Sequence, residues 1–121
     1  MTIQFKLAPS DSFKTDVRVA FRGDFGTTKH LNIKAEFRRL PHDQLRVLGQ
    51  RLEDPDNEDA DAQIVRDNLI GWETFKDFAG NDVEFGEVAL REVLNVTEFR
   101  RALVKAFLSS LSDPEATNRK N

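Results

Sequence analysis

The stretch 68–85, NLIGWETFKDFAGNDVEF, decides how this chain is read. It holds the single tryptophan, Trp72, and three of the ten phenylalanines, Phe75, Phe78 and Phe85. Helical spacing runs into it and out of it, but not through it. Ile64, Val65, Leu69 and Trp72 recur at spacings of three and four, which predicts a helix over 59–70 whose last turn Gly71 loosens. Ala79-Gly80-Asn81-Asp82 is turn chemistry, and Thr74-Phe75 can pair across it with Val83-Glu84-Phe85 as a small hairpin. Residues 71–85 therefore read as an aromatic-rich connector between two helical segments.

Upstream of it the period is two. Ile3, Phe5 and Leu7 alternate with Thr2, Gln4 and Lys6 until Pro9. Val17, Val19 and Phe21 alternate with Asp16, Arg18 and Arg22 until the Gly23-Asp24-Phe25-Gly26 turn. Leu31, Ile33, Ala35 and Phe37 alternate with Asn32, Lys34, Glu36 and Arg38. Three amphipathic strands with short connections predict an antiparallel β-meander over 1–40, polar on one face. Its apolar face needs a cover, which residues 41–112 supply. Pro41 opens a helix carrying Leu45, Leu48 and Leu52 and ending near Glu53. A short helix over 86–94 carries Val88, Leu90, Val93 and Leu94. In the last helix Phe99, Leu103, Phe107 and Leu111 fall at spacings of four, with Asn95 as its N-cap and Glu98 completing a capping box. Residues 113–121 are polar and predict a mobile tail. The expected fold is α+β: one domain, with a three-stranded meander against about four helices.

At 121 residues the chain has the length of one domain. It has no run of about 18 apolar residues, the N-terminal stretch lacks the apolar region of a signal peptide, and there is no cysteine. Together these favour the cytoplasm. The net charge of −3 is unevenly spread: residues 1–51 carry ten basic and five acidic side chains, 52–98 three and fourteen, and 99–121 five and two. An uneven solvated surface is the ordinary reading; head-to-tail self-association or an acidic face for a basic partner is the sharper one. An acidic domain without a basic-aromatic stripe does not suit nucleic acid.

Catalytic templates find little to work with. His30 and His42 are the only imidazoles, and both read as surface residues. No serine sits in a nucleophile elbow. The six carboxylates of Glu53–Asp61 fail as a calcium loop, with Asp59 where glycine is required and Val65 where the bidentate glutamate belongs. They read as a solvated linker whose later members favour a helix N-terminus. No catalytic, cofactor or metal site is expected. The partner-binding candidates are Trp72, Phe75, Phe78 and Phe25. For Trp72 the other reading is a core or half-buried anchor where the helix meets the connector, whereas Phe75, Phe78 and Phe25 sit beside turns and are expected to be exposed.

The order of elements resembles the small tail assembly chaperones of long-tailed, siphovirus-type bacteriophages. The matching residues are Glu36-Phe37-Arg38-Arg39-Leu40 at the end of the meander, then Val65, Leu69, Gly71, Trp72, Asp77 and Gly80, then Phe85, and last the helix segment Arg100 to Phe107. The likeness covers nearly the whole chain. It departs from the ideal pattern by one additional residue between Trp72 and Gly80. It implies a non-enzymatic protein of the host cytoplasm that binds the tape measure protein, aids tail tube assembly and is not in the mature virion. It also implies a longer frameshifted form that recruits tail tube protein. Arg119-Lys120-Asn121 can be encoded with the bases A-AAA-AAC, a heptamer on which ribosomes slip. The same features suit a different phage or prophage adaptor, or a minor tail structural protein.

Overall fold

The computed structural model describes residues 7–57 and 59–112, without the side chains of Leu111 and Ser112. The expected strand Thr2–Leu7 and the tail 113–121 lie outside the described residues, except Leu7 itself, which is exposed and outside any strand. The fold is a single α+β domain, a three-stranded antiparallel sheet covered on one face by helices.

Strands β1 (Ser12–Arg22) and β2 (Thr28–Arg38) form a long hairpin in which Val17 faces Ile33 and Thr15 faces Ala35. Alternation puts Phe13, Thr15, Val17, Val19 and Phe21 of β1 on the same side as Leu31, Ile33, Ala35 and Phe37 of β2. That side is the core face, and Val19, Ala35 and Phe37 are completely buried on it. The opposite face carries Lys14, Asp16, Arg18, Lys34 and Glu36 in solvent or at its margin, as the period-two reading requires.

Four helices follow: α1 (His42–Glu53), α2 (Ala60–Asn68), α3 (Glu87–Leu94) and α4 (Thr97–Ser112). Helix α4 is the main cover. It runs back along β1: Phe99 meets Phe21 near the end of the strand, and Phe107 stacks on Phe13 near its start. Phe107 also lies 4.9 Å from the Phe37 ring, so three aromatic rings close the core at this end. Leu103, midway between, is completely buried. Helix α2 adds Ile64 and Val65, α3 adds Leu90, Val93 and Leu94, and α1 contributes Leu48.

The third strand is the main departure from expectation. The helix foreseen over 59–70 stops at Asn68, and Leu69–Glu73 form β3, paired with β2. Trp72 lies opposite Ala35 and Leu69 opposite Phe37, with a register shift between them. Residues three apart on a regular strand face opposite sides. The extra residue, Ile70, forms a bulge that brings both Leu69 and Trp72 to the core face and turns its own side chain outward. A bulged strand thus copies the i, i+3 spacing of a helix. Gly71, expected to loosen a helix end, instead pairs with Glu36 inside the sheet.

The last helix also starts differently. Asn95 closes α3, its backbone N–H donating to the carbonyls of Arg91 and Glu92. The first backbone bond of α4 runs from Arg100 N–H to the Val96 carbonyl, so the expected capping box at Asn95 does not form the start. Arg100 ties the junction together. Its Nε donates to the Leu94 carbonyl at 3.0 Å, and its Nη1 lies 3.6 Å from Asp61 and 3.8 Å from Asp59 at the start of α2.

Two buried hydroxyls, those of Thr15 and of Ser110 in α4, have no hydrogen-bond partner among the described residues. That of Thr15 lies on the core face of the sheet. A buried unpaired hydroxyl costs about 1–3 kcal/mol. Thr15→Val keeps the branched shape a strand favours, so it is expected to raise unfolding stability by about 1 kcal/mol in urea titrations.

Candidate partner-binding surface

The connector is folded back on the sheet by its own turn. Asp77 builds that turn: its carboxylate accepts from the Ala79 and Asn81 N–H groups at 3.0 and 2.9 Å, and its carbonyl accepts from Gly80. Gly80 has φ +87, a left-handed conformation that glycine adopts without steric cost. Val83 N–H donates to the Phe75 carbonyl, and Lys76 pairs with Asp82 by a backbone bridge and a 3.0 Å ion pair. The small hairpin expected here is therefore present in its shortest form.

Trp72 is clamped. Its indole N–H donates to the Val83 carbonyl at 2.8 Å, and its ring meets Phe75 and Phe85 edge-on, with centroids 5.4 and 4.8 Å away. The half-buried ring thus joins β3 to both arms of the connector. Phe75, expected to be exposed, is only 4% exposed and reaches the Phe99 ring at 5.4 Å. The reason is that the Asp77 turn reverses the chain just after it and presses its ring inward. Phe78, three residues on, is 57% exposed and leans edge-on against Phe21 at 5.4 Å. From Phe85 through Trp72, Phe75, Phe99 and Phe21 to Phe78, six rings form one row from the connector into the core and out again.

Phe25 is the other exposed aromatic. It sits at the tip of the β1–β2 hairpin in a single 3-10 turn, Asp24–Gly26, with φ 54 and its side chain fully in solvent. A bulky residue in the left-handed region costs on the order of 1 kcal/mol or more, and here no burial offsets it. Phe25→Gly is expected to stabilise the fold by about 1 kcal/mol in thermal or urea unfolding.

Of the four candidates, then, Phe25 and Phe78 are presented to solvent, Trp72 is half-buried and structural, and Phe75 belongs to the core. Ile70, Phe85 and Val88 are exposed apolar residues around the connector that the sequence reading did not single out for contact. Ile70 is outward only because of the bulge, a feature periodicity does not signal.

The residues that carry the family resemblance have structural explanations. Val65, Leu69 and Phe37 are core; Trp72, Asp77 and Gly80 build the connector. Arg38 donates to the Asp67 carbonyl at the end of α2, where a cation is favoured. Arg39 donates to the Ser10 carbonyl and covers the Phe13 ring at 5.6 Å. His30 and His42 are both exposed. Among the described residues, no three His, Asp or Glu side chains gather to hold a metal ion, and no helix is long and apolar enough to cross a membrane. No family model matches the chain, and neither a curated protein nor a solved structure matches it.

Proposed function

We propose that this protein is a non-enzymatic tail assembly chaperone of a long-tailed phage. In this reading it binds the tape measure protein in the host cytoplasm, aids tail tube assembly and is absent from the finished virion. A longer frameshifted form would recruit tail tube protein. The resemblance in the order of elements supports the reading. The observation that carries it is the solvent exposure of Phe25, joined by that of Phe78. Each is a large aromatic held in solvent, and the first stands in a backbone conformation that disfavours it. Aromatic residues, phenylalanine among them, are enriched at protein interfaces, and a long helical tape measure protein would offer apolar faces that lie in a groove or on a patch.

The test is co-expression with the tape measure protein of the same genome. Wild-type chain is expected to keep it soluble and to be recovered with it. The double variant Phe25→Ala/Phe78→Ala is expected to lower that recovery about tenfold, the loss of two moderate hot spots, while still unfolding cooperatively. Unchanged recovery would remove these two rings from the contact. Mass spectrometry of purified virions separates the chaperone from a minor tail component: the chaperone is expected to be absent, and a fixed copy number would favour the component.

A further inference from the structure

Strand β1 is an edge of the sheet among the described residues, since its one partner strand is β2. The bonding pattern can be read from the two ends of the hairpin. Gly23 N–H donates to the Thr27 carbonyl, and Arg39 N–H donates to the Asp11 carbonyl. Odd-numbered residues of β1 therefore point their backbone groups at β2. By the alternation of an antiparallel ladder, Ser12, Lys14, Asp16, Arg18, Ala20 and Arg22 point theirs outward along the free edge. Eleven residues of edge is long for a sheet of three strands. Beside it a groove of about 670 Å³ opens between the β1 edge and α4, lined on the helix side by the charged Glu98, Arg101 and Lys105 as well as the small Ala102 and Ala106.

We infer that this edge pairs with the β1 edge of a second copy of the chain, antiparallel about a two-fold axis at Val17. Only even-numbered residues offer backbone groups outward, so the allowed registers differ by steps of two. The register that uses the whole strand sets Asp16 opposite the partner's Arg18, and by symmetry Arg18 opposite the partner's Asp16. Lys14 then faces the partner's Ala20, and Ser12 faces the partner's Arg22. Between the two strands no like charges meet. Slipping one step in either direction brings Asp16 onto Asp16 or Arg18 onto Arg18, and with it Lys14 onto Arg18 or Arg22. The charge sequence of the edge thus selects one self-complementary register, because opposite charges directly across strands attract and like charges repel. Asp16 has a 3.8 Å contact with Lys34, with both side chains largely in solvent, and Arg18 has no ion-pair partner among the described residues. On the other face the partner's Val17 meets Val17 beside the groove, where Ala102 and Ala106 leave room for it. The result is a continuous six-stranded sheet, and both free edges of β1 disappear.

This pairing differs from head-to-tail association by overall charge, and the test uses that difference. Sedimentation equilibrium of the full chain is expected to show a monomer–dimer equilibrium. Asp16→Arg alone and Arg18→Asp alone each turn two attractive cross-strand pairs repulsive, and each is expected to raise the dimer dissociation constant about tenfold. The double swap Asp16→Arg/Arg18→Asp restores opposite charges across the axis and is expected to recover the wild-type constant. Circular dichroism of all three variants checks the fold, which these exposed positions leave intact. A wild-type monomer at every concentration overturns the inference. So does a dimer indifferent to the single reversals, or one that the double swap fails to rescue.

Discussion

Phe107→Ala is expected to be the most damaging single truncation in this protein. The ring is completely buried, 4.9 Å from Phe37 and stacked on Phe13 at 6.3 Å. Removing it deletes the contact by which the far end of α4 holds the start of β1 and the end of β2. Phenylalanine-to-alanine changes in cores cost about 3–5 kcal/mol, part transfer and part cavity. Domains of this kind have about 5–15 kcal/mol in total. The melting temperature is expected to fall by about 10–20 °C, with loss of a single cooperative transition if the wild type lies near the lower bound. Phe107→Leu fills most of the volume and is expected to cost about 1–2 kcal/mol. A Phe107→Ala variant that melts within a few degrees of wild type would show that α4 does not seal the sheet as described.

The second large effect separates two phenylalanines three residues apart. Phe75→Ala is expected to cost about 3 kcal/mol, since the ring is buried between Trp72 and Phe99. Phe78→Ala is expected to cost less than about 1 kcal/mol, since only one side of its ring touches Phe21 and the rest faces water. Loss of Phe75 also frees the connector from the core, so limited trypsin digestion should cut faster at Lys76 in that variant. Urea titrations of the two variants side by side check the assignment, and equal costs would refute it. The contrast matters for function. A binding defect in Phe75→Ala reports unfolding as readily as contact, whereas Phe25 and Phe78 can be removed from a standing fold.

Phe25 and Thr15 point the opposite way. At both, substitution is expected to raise stability, one by removing a left-handed aromatic and one by removing a buried hydroxyl that has no partner among the described residues. If Phe25→Gly gains stability and loses capture of the tape measure protein, the strain at the hairpin tip and the contact belong to the same side chain.

Strands β1 and β2 were legible because Val17, Val19 and Phe21, and Ile33, Ala35 and Phe37, alternate without interruption and one face is buried. Helices α1, α3 and α4 were legible for the matching reason at a period near four. The turn at Asp77–Asn81 was visible in its residue types. What periodicity missed was β3. Leu69 and Trp72 are three apart, and in one dimension a helix and a bulged strand give the same signal. The pairing with Ala35 and Phe37, residues more than thirty positions away, chose the strand. The candidate contact residues divided for a similar reason. Turn chemistry marked Phe75 and Phe78 alike as lying beside a reversal, but the direction of that reversal decided which ring met Phe99.

The chain's amino-acid order therefore determined, by itself, the hairpin, the α4 stripe and the presence of an aromatic connector in 68–85, because each depends on local spacing and turn residues. Only the tertiary structure decided that the connector begins as a sheet strand, that Trp72 is clamped by Val83, and that Phe78 rather than Phe75 faces solvent. Those outcomes depend on which distant surfaces come together, and burial of Leu69, Trp72 and Phe75 against them outweighs the local preference for one more helical turn.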